Sequence, residues 1–153
     1  MNPETLATFN QTLGIAGAVA CLGLSATGSA FGTGFAATSA MGAWKKCYAQ
    51  SKPAPFILLG LVGAPITQTL YGMILMFTIA GKADAGYNPF ALLGVGFFAG
   101  LAIGVSAWMQ GVAGAAAADS LGETGEGFTN YLSVIGIVET VAIFVMVFVI
   151  IAL

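Results

Sequence analysis

GFTNYLSVIGIVETVAIFVMVFVIIAL, residues 127–153, is apolar almost throughout and carries a single charged side chain, Glu139. Its length exceeds the roughly 20 residues a helix needs to cross the hydrocarbon core of a bilayer. Glu139 is the thirteenth of these 27 residues, which puts it near the midplane. A charge there costs about 2.5–3.5 kcal/mol even on the mildest scales, so such a residue is normally retained for function.

Working outward, three more stretches lack any Asp, Glu, Lys or Arg: residues 85–118, 53–81 and 5–44. Each is long enough to span. Between them lie short polar connections. The first holds Lys45, Lys46 and Lys52 with Pro53 and Pro55, and the second holds Lys82, Asp84, Asn88 and Pro89. The third holds Asp119, Glu123 and Glu126 among Gly122, Gly125 and Gly127. Open strands cannot satisfy their backbone in lipid, so the expected fold is an all-α membrane protein of four transmembrane helices. The helices form two hairpins, residues 1–82 and 83–153. Three of the four lysines sit in the first connection. The positive-inside rule then predicts a cytoplasmic location for the first and third connections, with both termini outside.

Composition agrees and removes several function classes. The chain of 153 residues is 58% hydrophobic and only 7% charged, with a net charge of −2 and no His; its mean hydropathy is +0.95. No Arg is present, and four scattered lysines do not make the basic surface that nucleic acid requires. Cys21 and Cys47 have no metal-type spacing and suggest no disulfide framework. The opening Met-Asn-Pro-Glu lacks the basic region of a secretory signal, so none is expected. There is no Gly-rich phosphate loop or other nucleotide motif.

The first and third spans carry stripes of small residues at helical spacing. One runs Gly14, Ala18, Cys21, Ser25, Gly28, Gly32, Ala36 and Ser39; the other runs Gly96, Gly100, Gly104, Ala107, Gly111, Gly114 and Ala118. Such stripes let helix backbones approach closely in a membrane. The second and fourth spans are bulkier, with residues such as Phe77, Phe144 and Phe148. The pattern suits a homo-oligomeric ring with slim helices inside and bulky ones toward lipid, and it also suits tight packing within one chain. A faint duplication accompanies it. Ser29-Ala30-Phe31 overlays Ser106-Ala107-Trp108 at an offset of 77, and Leu70-Tyr71 overlays Ile143-Phe144 at 73, setting Ile66 opposite Glu139.

The chemistry converges on Glu139. A carboxylate in low dielectric either takes up a proton or neutralises a bound cation. The second span offers Thr67, Gln68 and Tyr71 just after Pro65, and the third offers Gln110. Pro65 cannot donate a backbone hydrogen bond, so carbonyls from Leu61 to Ala64 are freed or tilted. Carbonyl, amide, hydroxyl and carboxylate oxygens are hard ligands of the kind an alkali cation needs. The same glutamines also suit interhelical hydrogen bonding alone.

Four motifs resemble the proteolipid (c or K) subunit of V-type and A-type rotary ATPases in its duplicated four-helix form. They are Gly28-Ser29-Ala30-Phe31-Gly32-Thr33-Gly34, Pro65-Ile66-Thr67-Gln68-Thr69-Leu70-Tyr71-Gly72, Gln110-Gly111-Val112-Ala113 and Val138-Glu139-Thr140-Val141-Ala142-Ile143. The resemblance is to sodium-type members. It implies Na+ held by Glu139, Gln110, Gln68, Thr67 and the Ala64 carbonyl, with Tyr71 holding the carboxylate. It also implies a ring of identical subunits turning in lipid against a membrane stator subunit and seated on central-stalk subunits. The chain departs from the family at Ile66 and Thr69, where Gly is frequent. The alternatives are the same rotor carrying protons, a small four-helix drug/proton antiporter, and a purely structural tetraspan protein. Antiporters of that kind generally place their Glu in the first helix, which here is uncharged and glycine-striped.

Overall fold

The computed structural model describes residues 2–153, among which only helices form. Helix α1 spans Pro3–Ala49, α2 Leu58–Gly63, α3 Thr67–Asp84, α4 Pro89–Thr124 and α5 Phe128–Ala152. A 3₁₀ turn over Ala64–Ile66 joins α2 to α3, so these two and the turn make one 27-residue span, Leu58–Asp84. Four segments are thus long and apolar enough to cross a membrane, and the chain is a multi-pass membrane protein.

Local chemistry explains the boundaries. The Asn2 side chain accepts from the Thr5 N–H at 2.8 Å, and Pro3 follows in the first turn of α1. Asn88 does the same for Phe90 and Ala91 at the start of α4, again followed by Pro. These side chains satisfy backbone donors that a helix start leaves free, and Pro there loses nothing. Gly125, at φ +74°, ends α4 in the left-handed conformation that only Gly adopts cheaply. The 3₁₀ turn falls at Pro65, whose ring removes a helical N–H.

Lys52 and Glu126 lie in the connections as expected, but most of the other charged residues assigned there sit on the ends of long helices. Lys45, Lys46, Lys82, Asp119 and Glu123 are all helical. At ~1.5 Å per residue, α1 is ~70 Å long and α4 ~54 Å. Both exceed the roughly 30 Å hydrocarbon core, so their ends continue beyond it. Lys46 Nζ bridges Asp119 and Glu123 at 3.0 and 2.8 Å, tying α1 to α4 at one end. Exposed pairs like these contribute little stability but place the first and third connections on the same side. At the opposite end Gln11 donates to Asp84 at 2.9 Å, and Lys82 bonds the Leu153 carbonyl.

The two small-residue stripes face each other along α1 and α4. A Cβ added to Gly28 would lie 1.9 Å from the Gly104 carbonyl oxygen, and one on Gly111 only 2.1 Å from the Gly32 Cα. The stripes are therefore used within one chain, and their spacing alone does not require a ring. Bulky side chains of α5, including Ile137, Phe144, Phe148 and Ile151, point away from the bundle, as do Phe31, Phe98 and Trp108 of the slim helices. Gly28→Leu should separate the hairpins and cost about 3 kcal/mol or more by overpacking, whereas Gly23→Ala, with open space around it, should be neutral. Thermal denaturation of the two variants in detergent checks this.

The core has two apolar clusters. One gathers Ala18, Leu75, Ile79, Leu92, Ile103 and Ala142; the other gathers Ala40, Leu58, Leu61, Ala118, Leu121 and Ile135. Among the described residues the buried polar side chains are Ser25, Ser29, Gln68, Ser106 and Gln110. They form a polar layer between the two clusters.

Candidate ion site

The polar layer is organised by three helices. The 3₁₀ turn ends at Ile66, so the first turn of α3 presents Thr67, Gln68 and Tyr71 toward α4 and α5. Gln110 lies on the packed face of α4, whose neighbouring Gly111 allows α1 to approach. Glu139 comes from α5 and is half-buried.

A continuous hydrogen-bond chain connects the predicted residues. Tyr71 OH donates to Glu139 Oε1 at 2.6 Å. Gln110 Nε2 approaches Glu139 Oε2 at 3.4 Å and donates more closely to the Ile135 carbonyl at 3.1 Å. Gln68 Nε2 donates to Gln110 Oε1 at 2.7 Å. Thr67 Oγ1 contacts Gln68 Oε1 at 3.1 Å and the Ala64 carbonyl at 3.0 Å. Both glutamines are wholly shielded from solvent. All six sequence-predicted residues, Ala64, Thr67, Gln68, Tyr71, Gln110 and Glu139, thus fall in one network. Its longest-range bond, Tyr71 to Glu139, joins residues 68 positions apart along the chain.

The network gathers oxygen atoms of four kinds: a carboxylate, two amide carbonyls, two hydroxyls and two backbone carbonyls. Its one formal charge is the carboxylate. Such a set can compensate one monovalent cation or hold one proton on Glu139, and in either form the site becomes neutral. Because it is buried between apolar clusters, incomplete pairing would be expensive, which explains why each amide has a partner.

Sequence reasoning overlooked one contributor. Ser106, nearly buried, donates to the Val138 carbonyl at 3.1 Å and so fixes the backbone of α5 beside Glu139. It lies four residues before Gln110, one turn away on the same face, and that spacing was the available signal.

Fold and site together define a multi-pass helical membrane protein with a carboxylate-centred polar network inside its bundle. Residues 93–152 match the family model of the ATP synthase C subunit. The match covers most of α4 and all of α5, and it includes both Gln110 and Glu139. Comparison with curated proteins gives no match.

Proposed function

We propose that this chain is the rotor-ring subunit of a V/A-type rotary ATPase and carries Na+ across the membrane on Glu139. The observation that carries the reading is the Glu139 network itself. A mid-span carboxylate is tied to Tyr71 and Gln110, and through Gln110 to Gln68 and Thr67. The match of the second hairpin to the ATP synthase C subunit supports the rotor role. The two buried amides support Na+ over H+, since a proton carrier needs no such array of oxygen ligands.

In this reading identical subunits form a ring in the cell membrane, with both termini outside. Na+ is the cargo. It enters among Glu139, Gln110, Gln68, Thr67 and the Ala64 carbonyl, replacing their mutual hydrogen bonds with oxygen–cation contacts. Tyr71 keeps the carboxylate in place. Ion and carboxylate together are neutral, so the loaded site passes along lipid at low electrostatic cost. At a membrane stator subunit the ion leaves into one half-channel, and a new one loads from the other. Central-stalk subunits bind the cytoplasmic ends around Lys45–Lys52 and Asp119–Glu126, and ATP is turned over by separate soluble subunits.

The test is chemical. A hydrophobic carbodiimide partitions into lipid and reacts with protonated carboxyl groups. It should modify Glu139 alone among the six acidic residues, read by peptide mass spectrometry. Modification chiefly at Glu123 or Glu126 would defeat the assignment.

A further inference from the structure

The first hairpin contains a polar feature that the proposed function does not use. Ser29 and Thr33 lie four residues apart on one face of α1, and neither hydroxyl oxygen has a hydrogen-bond partner within the protein although both are buried. Ser29 has a relative exposure of only 5%. Other hydroxyls of the same helix are satisfied. Ser25 bonds back to the Cys21 carbonyl at 2.8 Å, and Thr27 to the Gly23 carbonyl at 2.8 Å.

The internal repeat shows what partners are missing. At the offset of 77, Ser29 corresponds to Ser106 and Thr33 to Gln110. In the second hairpin those residues donate to the Val138 and Ile135 carbonyls of α5, each at 3.1 Å. At the offset of 73 the matching carbonyls are those of Pro65 and Val62. Hydrogen bonding supports this second alignment: Thr67 Oγ1 bonds the Ala64 carbonyl at 3.0 Å, and its counterpart Thr140 bonds the Ile137 carbonyl at 2.7 Å. Thr33 is shorter than glutamine by two bonds, about the width of a water molecule, and so falls short where Gln110 reaches. This part of α1 packs on the Pro65 break, since a Cβ on Gly32 would lie 2.9 Å from the Pro65 side chain. Pro65 also withholds the N–H that would have bonded the Leu61 carbonyl.

We propose that Ser29 and Thr33 bind a buried water molecule that links α1 to the Val62–Pro65 break, filling the place of the Gln110 amide in the second hairpin. A buried water generally makes two to four hydrogen bonds; two hydroxyls and the carbonyls of the break meet that need. The ligand must be neutral. The counterpart of Glu139 is Ile66, so no carboxylate is present to compensate a cation in the membrane interior.

Water-edited solid-state NMR of the full chain in lipid bilayers tests this without reference to transport. Wild type should show magnetisation transfer from water to Ser29 and Thr33. Ser25, fully buried and bonded to its own helix, should show little. Thr33→Gln should supply its own amide and abolish the transfer at Ser29 while the spectrum elsewhere is unchanged. Ser29→Ala combined with Thr33→Val should abolish it at the Val62–Pro65 backbone. The proposal is overturned if wild type gives no transfer, if both hydroxyls prove bonded to the Ser25 and Ser29 carbonyls, or if the signal survives the double variant.

Discussion

Glu139→Gln is expected to abolish the proposed ion transport and the ATP turnover coupled to it, while the folded, assembled protein survives. Amide and carboxyl have nearly the same volume, so packing around α5 should be kept. Tyr71 OH can still donate to the amide oxygen at the position it now bonds, 2.6 Å from Glu139 Oε1. What disappears is the one charge. A cation in the polar layer would then lack its counter-charge, and leaving a buried ion uncompensated costs about 3–5 kcal/mol, or roughly 10²–10³-fold or more in affinity. A neutral amide also cannot carry a proton, so the loss should hold for either ion. The measurement is Na+ and proton flux in reconstituted vesicles, alongside Glu4→Gln as a control outside the spans. Transport persisting in Glu139→Gln would remove the central claim.

Gln110→Leu should strip Na+ from the site by orders of magnitude. Gln110 is the hub of the network: it accepts from Gln68 at 2.7 Å, donates to the Ile135 carbonyl at 3.1 Å and approaches Glu139 at 3.4 Å. Leucine of similar size removes an oxygen ligand and leaves two buried groups unpaired, each costing about 1–3 kcal/mol. In wild type, Na+ should slow carbodiimide labelling of Glu139. Protection should strengthen at higher pH, because Na+ and protons compete for one carboxylate. In Gln110→Leu, and in Gln68→Leu, at least ~100-fold more Na+ should be needed, following the size of those unpaired-group costs. Thr67→Val, which loses a weaker hydroxyl ligand at nearly constant shape, should require less extra Na+. K+ serves as the ionic-strength control. If Na+ protects at no pH, the amides are interhelical glue and the ion is the proton.

Much of this was legible in the chain because membrane insertion is governed residue by residue. Three uncharged stretches and a fourth with a single charge, separated by lysines and acids, predicted four spans, and four are found. Glu139 stood out for the same reason, as a lone charge at the middle of its span. Thr67, Gln68, Tyr71 and Gln110 could be named as its companions, since polar side chains within apolar helices are few. Connection boundaries were less legible. Hydropathy marks where lipid ends, whereas backbone hydrogen bonding continues through solvated charges, so Lys46 and Glu123 remain helical and meet each other.

The sequence by itself determined the class of fold, the mid-span place of the carboxylate and the identity of its polar neighbours, because each follows from the transfer cost of single residues into lipid. Only the tertiary structure decided the wiring. That the glycine stripes of α1 and α4 meet within one chain, that Gln110 rather than Gln68 touches Glu139, and that Ser106 braces the Val138 carbonyl depend on how helices rotate and slide against one another. Those degrees of freedom are set by summed packing over whole faces. A hydrogen bond is made or lost within an ångström, a difference that no spacing along the chain encodes.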